Sequence, residues 1–250
     1  MDLPEHRRRS YEGRPWWHEA VMTRDPTGNK KGAEIRKSYS RISAQEDAQL
    51  REIIANTYGQ IALVDHNVGR VLIALAEAGL ADSTYVIYFT DHGDWLGDHG
   101  LILKGPMHYE GLLRVPAGAV RGAPVSSLDI APTLFDYSGA AALQAPHGAS
   151  LRPLIENPDA DRDFALNEWD LHPQRTGVAL SLRTVRTRTH KLTVDQESGG
   201  GELYDLVGDP HETQNLFDDP AASEIRAQLM AYLETRPDDM LPLREPVGMA

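Results

Sequence analysis

The sequence contains no cysteine among its 250 residues. This absence excludes disulfide bonds, thiolate metal ligands and a cysteine nucleophile within this polypeptide, and it leaves the redox compartment undetermined. Basic residues are also few, with 25 Lys and Arg against 37 Asp and Glu, so the net charge is -12. Proteins that bind nucleic acid need a basic surface to displace counterions from phosphates, and we therefore expect no nucleic-acid partner.

Long apolar runs are missing as well. No stretch approaches the ~18 to 20 apolar residues that span a membrane, and no apolar segment follows the arginines of MDLPEHRRRSYEG as in a signal peptide. We expect a soluble, cytoplasmic chain without a membrane partner. The length suits one large domain or two unequal ones with an ample core.

The first part of the chain has little regular pattern. Residues 1–42 are polar and punctuated by proline and glycine, which predicts irregular structure. A loop of this length either covers an active site or is the remnant of a longer segment, and the residues favour neither reading. The pair Trp16-Trp17 is typical of a loop anchored to a core.

A long helix follows. Ser43 and Glu46 form a capping box, and Gly79 is placed to cap the far end. Between them, apolar residues recur at helical spacing: Leu50, Ile53, Ile54, Ile61, Val68, Leu72 and Leu75. The pattern predicts an amphipathic helix that Gly59 and Gly69 bend or interrupt.

A short apolar run, Thr84 to Phe89, comes next. Its β-branched and aromatic residues predict a strand covered on both faces in a parallel sheet, which together with the preceding helix indicates an α/β fold. Ligands of open α/β sheets bind beyond the carboxyl ends of the strands, where Asp91 and His92 would lie. A carboxylate and a neutral imidazole suit a divalent cation such as Mn, Zn or Mg, although such a pair at a turn more often caps or packs.

The motif TDHGDWLGDHGLILKGPMHYEGLLRVP, from Thr90 to Pro116, resembles the sulfatase family of the alkaline-phosphatase superfamily. The resemblance extends upstream through YGQIALVDHNVGRVLIALAEAGLADSTYVIYF and downstream through SSLDIAPTLFDYSGA and GELYDLVGDPHETQNLF, over residues 43 to 220. It implies an alkaline-phosphatase-like, mostly parallel sheet flanked by helices, incomplete here, within residues 1–157. Residues 158–250 would form a smaller α+β subdomain with an antiparallel sheet.

The resemblance also implies roles for individual residues. Asp91 and His92 match the family's metal-binding pair, which would hold a divalent metal, Ca, Mn or Mg. Lys104 matches the lysine that contacts the sulfate or the leaving-group oxygen, so it is the candidate for both catalysis and substrate binding. The implied substrate is a small-molecule sulfate ester. We expect Asp98 and His99 to shape the loop and His108 and Arg114 to be structural.

Three components of the family pattern are missing from the sequence. They are an early Asp pair, or Asp-Gln, that completes the metal site, a C/S-x-P-x-R motif whose cysteine or serine becomes formylglycine, and a histidine that lies between that nucleophile and the Asp-His pair. Formylglycine is therefore not expected in this chain, and without a nucleophile the chain alone should hydrolyse nothing. The alternatives are an enzyme whose N-terminal half is separate or lost, a phosphonate or phosphate diester hydrolase, and a non-catalytic remnant or binding module, as a monomer or a homo-oligomer.

A second departure follows Arg114-Val115-Pro116, where about a dozen residues of the family pattern are absent. We expect the loss of one sheet strand and exposure of its neighbours. Further on, residues 178–182, 184–188, 191–195 and 202–206 alternate apolar and polar positions, which predicts an antiparallel sheet with one solvated face. Alternation puts most of the basic residues Arg183, Arg186, Arg188 and Lys191 on that face, which favours a role in solubility over an anion-binding patch. Asp219-Pro220 then starts a helix with Ile225, Leu229, Tyr232 and Leu233 buried.

Overall fold

The computed structural model describes residues 2–7, 10–25, 27, 47–113, 122–141 and 147–237. Its helices are α1 (Trp16–Thr23), α2 (Asp47–Glu77), α3 (Glu110–Leu113), α4 (Ile130–Ser138), α5 (Arg152–Glu156), α6 (Pro173–Thr176) and α7 (Ser223–Glu234). Its strands are β1 (Ala165–Leu171), β2 (Leu180–Arg186), β3 (His190–Asp195) and β4 (Gly201–Asp205). Two compact units emerge, which we call the N-terminal unit (Met1–Ala117 and His172–Val178) and the C-terminal unit (Gly118–Leu171 and Ala179–Ala250). The predicted domain boundary near residue 158 stays a prediction.

Part of the N-terminal segment is helical, so the prediction of irregular structure is wrong for α1. Pro15 precedes the helix and presets the backbone for its first turn. Trp17 is fully buried and anchors the segment as expected, whereas Trp16 is 41% exposed and meets the Trp17 ring edge-on. The helix α1 was not predicted because its surroundings are polar and it has few apolar residues. Three of them, Trp17, Ala20 and Val21, are enough to bury one face of an eight-residue helix.

Helix α2 confirms the long helix predicted from the apolar spacing. Gly59 and Gly69 lie within it without interrupting it. At its C-terminal end Gly79 adopts a left-handed φ of 70°, and the N–H of Leu80 donates to the carbonyl of Leu75, which is the Schellman arrangement. The capping box at Ser43 and Glu46 lies outside the described residues.

The burial of α2 differs from the expected stripe along its whole length. Its buried side chains are Leu50 and Ile54, which pack with Ile102 near the start of the helix. The following turns expose apolar side chains on several sides: Tyr58, Ile61, Leu63, Val64, Val71, Leu72 and Ile73. A helix that is apolar around its circumference is normally covered by other elements, and these turns are not covered by any described residue.

The segment 84–89 is extended but forms no strand with any described residue, so the prediction of a strand covered on both faces is wrong for this structure. Its side chains are exposed, from 43% for Ile87 to 70% for Tyr88. A strand needs a neighbour whose N–H and C=O groups complete its ladder, and apolar composition cannot supply one. The missing strand expected after Pro116 falls on residues outside the described part of the chain.

The C-terminal unit holds one antiparallel sheet in the order β1-β2-β3-β4. The prediction of an antiparallel sheet is confirmed, with two differences. Strand β1 was not predicted because its sequence ALNEWDL carries three polar residues, and the predicted pieces 178–182 and 184–188 form the single strand β2. The turn at Gly199 has the left-handed φ of 70° that favours glycine.

One face of this sheet packs on α7. Val185, Leu192, Val194 and Leu203 form its core with Leu229, and Ile225, Tyr232 and Leu233 pack against it half-buried, as the apolar spacing predicted. The side chain of Asp219 accepts the N–H of Ala221, so the predicted N-cap is present before the 3₁₀ turn that leads into α7.

The prediction of a solvated second face is wrong for β3 and β4. Lys191 is completely buried and forms an ion pair with Glu212, which is 2% exposed. The Lys191 ammonium also lies over the Tyr204 ring, 5.8 Å from its centroid. Alternation assigns a residue to a face but does not say whether that face is covered, and an ion pair allows a charge to be buried.

A buried carboxylate organises the start of α4. Asp129, which is 2% exposed, accepts the N–H groups of Ser126 (2.8 Å) and Ala149 (2.9 Å) and pairs with Arg162 (2.5 Å). Gly148 lies so close to the Leu128 carbonyl that a Cβ would approach it to 2.2 Å. The turn predicted at Asp129 therefore joins two loops through this buried carboxylate, and we assign Asp129 a structural role.

Candidate functional site

The pair Asp91-His92 lies at the end of the extended segment 84–89, in a turn held by its own backbone. Asp91 Oδ1 accepts the N–H of His92 at 3.0 Å, and the Thr90 hydroxyl donates to the His92 carbonyl at 2.9 Å. Gly93 follows, with its N–H on the Leu112 carbonyl at 2.8 Å. A Cβ at Gly93 would come within 2.1 Å of the Gly111 carbonyl oxygen, so the turn requires glycine at this position.

The hydrogen bonds of His92 orient its ring for metal binding. Nδ1 lies 2.7 Å from the Gly93 carbonyl oxygen, which can only accept, so Nδ1 carries the proton and donates. In the neutral ring Nε2 then holds a free lone pair, the arrangement in which a backbone carbonyl supports a metal-binding imidazole. Asp91 Oδ2 faces Nε2 at 3.4 Å.

Two acceptors that face each other across 3.4 Å can both coordinate a cation placed between or beside them. The Asp91 side chain is 79% exposed, so its free lone pairs are accessible from solvent. A carboxylate oxygen with an imidazole nitrogen is a donor set that a divalent cation such as Mn or Zn accepts. These residues therefore fit the expected metal and would supply two of its ligands.

Lys104 belongs to the same neighbourhood. Partial desolvation acts to raise the pKa of the Asp91 carboxyl, but the His92 ring, two backbone N–H groups and the Lys104 ammonium outweigh it, so the pKa is lowered. Lys104 itself is exposed. Lys104 is thus within electrostatic range of Asp91, although the two residues are 13 positions apart in the chain.

Lys104 is carried by a tightly folded loop, residues 93–105. The N–H of Gly97 donates to the Leu101 carbonyl at 2.7 Å, and the N–H of Trp95 donates to the Leu103 carbonyl at 3.3 Å. Leu96, His99 and Leu103 have positive φ angles of 47°, 51° and 65°. Each such residue costs roughly 1–2 kcal/mol, so the loop must be held by other contacts.

Packing supplies part of those contacts. A Cβ at Gly97 would come within 2.7 Å of the Leu50 side chain, and one at Gly105 within 2.8 Å of the Trp95 ring, so both glycines allow close approach. Trp95 and Leu101 are buried beneath the loop. The glycines that punctuate the motif therefore serve its compactness.

The second Asp-His-Gly of the motif is structural in character. Its Asp98–Gly100 turn is a single 3₁₀ turn, and the His99 ring stacks on Tyr109 with centroids 3.7 Å apart and planes at 12°. The Tyr109 hydroxyl in turn lies 3.4 Å from Nδ1 of the buried His18. These contacts accord with the expected loop-shaping role. His108 is 1% exposed, and Arg114 lies outside the described residues.

One residue at this site was missed by the sequence reasoning. Asp94 Oδ1 accepts two backbone N–H groups, from Leu96 at 2.9 Å and from Leu103 at 2.8 Å. An aspartate that accepts the backbone N–H two residues further on is a common turn signal, so the first bond was predictable. The second joins residues nine apart and depends on the folding of the loop.

Comparison with known proteins agrees with this picture. A family model described as the C-terminal part of N-sulphoglucosamine sulphohydrolase matches residues 100–238, and the sulfatase family model matches residues 17–140. Together they cover most of the chain. The chain belongs to the sulfatase family. The alkaline-phosphatase-like fold inferred from the motif is thereby supported.

Individual relatives of this sulfatase-family chain include an arylsulfatase and a sugar sulfatase. It is 32% identical to an arylsulfatase of Clostridium perfringens over 75% of its own length and 41% of the relative's. It is 30% identical to an N-acetylglucosamine-6-O-sulfatase of Bacteroides thetaiotaomicron over 81% of its length and 38% of the relative's. The chain therefore spans about two fifths of the length of these relatives.

Solved structures give the same result. A 2-O GAG sulfatase superposes with a TM-score of 0.76 at 26% identity, covering 94% of this chain and 51% of the other. A phosphonate monoester hydrolase of Agrobacterium radiobacter superposes with a TM-score of 0.63 at 27% identity, covering 77% and 43%. The relatives and structural neighbours thus include sulfatases and a phosphonate monoester hydrolase. No helix of the described residues is both long and apolar enough to cross a membrane.

Proposed function

We propose that this chain contributes the cation-binding and leaving-group side of a sulfuric ester hydrolase site. Asp91 and His92 would bind a divalent metal, and Lys104 would contact the sulfate or the departing oxygen. The observation that carries the proposal is the pair of facing acceptors, Asp91 Oδ2 and His92 Nε2, 3.4 Å apart, with the Lys104 ammonium near enough to lower the Asp91 pKa.

The three side chains divide the work. When bound, a divalent metal stabilises negative charge on the ester oxygens as a Lewis acid. The Gly93 carbonyl keeps the His92 proton on Nδ1, so Nε2 stays available as a ligand. The fixed ammonium of Lys104 stabilises charge that develops on the leaving oxygen. None of these groups is a nucleophile, so bond cleavage requires one from elsewhere, and the chain alone should hydrolyse nothing.

Metal binding tests the first part. We expect the purified chain to bind Mn²⁺, measured by calorimetry and electron paramagnetic resonance, and to lose that binding in Asp91→Ala and His92→Ala. The chain offers a matched control, because Asp65-His66 is another adjacent Asp-His pair, exposed in the middle of α2. Binding retained by Asp91→Ala but lost by Asp65→Ala would contradict the proposed site, and a chain without metal would favour the non-catalytic alternative.

Turnover tests the second part. The chain alone should not hydrolyse 4-nitrophenyl sulfate, and turnover that survives Asp91→Ala would contradict the mechanism. The likeness to a phosphonate monoester hydrolase supports a second candidate substrate class, phosphonate monoesters. Assaying 4-nitrophenyl phenylphosphonate beside the sulfate, with any completed enzyme, separates the two classes.

The exposed surface formed by residues 58–73 of α2 and the segment 84–89 supports a partner. We propose that it is covered by a polypeptide segment that adds parallel strands beside 84–89 and supplies the nucleophile. Parallel neighbours put their carboxyl ends next to Asp91, where further ligands are needed. A second copy of this chain would pair 84–89 antiparallel across a twofold axis and send the two Asp91 residues to opposite edges, so it would complete neither site.

This partner has a direct test. DNA upstream of the coding region should contain a reading frame that encodes a C/S-x-P-x-R motif, and its product, expressed together with this chain, should protect the amides of 84–89 from hydrogen exchange. Absence of such a frame would contradict the proposal. A dimer of this chain by light scattering, with 84–89 protected, would identify the second copy as the occupant instead.

A further inference from the structure

The loop that carries Lys104 is closed by one carboxylate. Asp94 Oδ1 accepts the N–H of Leu96 on the outgoing arm and the N–H of Leu103 on the returning arm, at 2.9 Å and 2.8 Å. The two arms are also joined by the bond from Trp95 to the Leu103 carbonyl. Both polar groups of the Leu103 backbone are therefore held by residues 94 and 95.

Leu103 immediately precedes Lys104, so its conformation sets the direction in which the lysine leaves the loop. Its φ of 65° is in the left-handed region, which leucine avoids, and its side chain is 49% exposed. Side-chain packing therefore contributes little to holding this conformation. The two backbone hydrogen bonds are what remains to hold it, and the shorter of them ends on Asp94.

Asp94 also connects the two halves of the site. It follows the Asp91-His92-Gly93 turn directly, and Gly93 is fixed to the Leu112 carbonyl. A carboxylate anchored at this turn and bonded to the residue before Lys104 sets the separation between the metal-ligand pair and the ammonium.

We propose that Asp94 is a positioning residue for Lys104, holding the lysine beside Asp91 and His92 through its bond to the Leu103 N–H. The inference rests on the proposed function, since Lys104 must be placed only if it meets an anion next to the cation. Asp94 touches neither the cation nor the anion. Its effect is therefore on the anion and not on the metal.

Three variants separate the two hydrogen bonds. Asp94→Asn keeps a carbonyl oxygen in place and should retain both bonds, weakened by the loss of the negative charge. Asp94→Ser keeps a hydroxyl that can accept the nearby Leu96 N–H but is too short to reach Leu103. Asp94→Ala loses both. Asp136→Ser in the C-terminal unit is the matched control, because Asp136 bonds the side chains of Ser150 and Arg152 and no backbone N–H of the loop.

The first measurement is amide hydrogen exchange by NMR. In Asp94→Ser the Leu103 amide should exchange at least about tenfold faster, as expected when a charge-assisted bond is lost, with Leu96 little changed. Asp136→Ser should match the parent, and Asp94→Asn should fall between the parent and Asp94→Ser because its neutral carbonyl accepts more weakly. An unchanged Leu103 amide in Asp94→Ser would overturn the inference. Because this readout needs no ligand, it decides the inference even if the chain binds no metal.

The second measurement uses inorganic sulfate and Mn²⁺ as probes. Asp94→Ser should keep the parent's Mn²⁺ affinity and lose sulfate affinity by about the factor lost in Lys104→Ala, roughly tenfold for one charge-assisted contact. The double variant should lose no more than Lys104→Ala alone, because both changes act on one contact. Equal loss of Mn²⁺ affinity, or fully additive losses of sulfate affinity, would overturn the positioning role. Absence of Lys104-dependent sulfate binding in the parent would instead contradict the proposed function.

Discussion

The sheet of the C-terminal unit and the segment 84–89 of the N-terminal unit both have the apolar, β-branched sequence typical of strands. The sheet strands are paired and largely buried, whereas the segment 84–89 is exposed. Strand β3, HKLTVD, has two strand neighbours and every residue from Lys191 to Asp195 is buried. The segment TYVIYF is more apolar, yet it is exposed and pairs with no described strand. Apolar β-branched residues favour a strand, but the neighbours decide whether one forms.

The comparison extends to the helices. Helix α7 is short and of modest apolarity, and it is stable because one face packs on the sheet through the fully buried Leu229. Helix α2 is longer and more apolar, and beyond Ile54 it buries no side chain. Helix stability in proteins comes mainly from packing, so α2 is the element that a covering partner would stabilise most.

The largest effect should come from the buried ion pair in the sheet. Replacing Lys191 with Met leaves the Glu212 carboxylate buried without its partner, and we expect a loss of about 3–5 kcal/mol in the free energy of unfolding. Urea denaturation followed by circular dichroism measures it. The double change Lys191→Met with Glu212→Gln should cost less than the single one, and a larger cost would show that the charges act independently.

The core under α7 should come next. Leu229→Ala leaves a cavity beside Val185, Leu192 and Leu203, and the expected cost is about 2–5 kcal/mol. The matched change on the exposed helix is Leu63→Ala, since Leu63 is 63% exposed, and it should alter stability by no more than about 0.5 kcal/mol. Similar costs for the two variants would mean that α2 is covered in solution and that the contrast between the helices is wrong.

A smaller effect of opposite sign is expected in the middle of α2. A Cβ at Gly59 or Gly69 would meet no atom within 4 Å. Alanine restricts the unfolded chain and suits a helix better, so each Gly→Ala change should stabilise the chain by about 0.5–1 kcal/mol. Thermal unfolding of the two single variants checks this. Destabilisation by either would indicate that the helix surface is packed more closely than its exposure suggests.

The smallest effect concerns acid sensitivity in the turn after β4. The backbone N–H groups of Gly208 and Val207 donate to Asp205 and lower the pKa of its carboxyl. A lowered folded-state pKa contributes stability above the ordinary value near pH 4, and this stability is lost as pH falls through the folded pKa. Stability curves of the parent and Asp205→Ala should differ at pH 6 and converge at low pH. A gap that widens on acidification would reverse the assigned direction.

Particular residues show how much of the structure could be predicted from the sequence. The motif from Thr90 to Pro116 identified the family because its glycines, Asp91, His92 and Lys104 occur in a fixed local order, and that order is a property of the chain. The ends of α2 and α7 were predictable for the same reason, since capping by Gly79 and Asp219 involves near neighbours.

Other features could not be predicted from the sequence because they depend on residues that are far apart in the chain. The burial of Lys191 depends on Glu212, and the bond from the Leu103 N–H to Asp94 depends on how the loop folds back. The exposure of 84–89 arises because no strand among the described residues lies beside it. Each is a contact between parts of the chain that periodicity does not connect.

The sequence by itself therefore determined the family, the helices with local caps and the three residues proposed to bind cation and anion. These features depend on the types and the local order of residues, which are properties of the sequence. The tertiary structure decided which apolar runs are buried, which charges are paired and how the loop before Lys104 folds back onto Asp94. Those outcomes depend on which surfaces meet, since burial and pairing are properties of two partners and not of one.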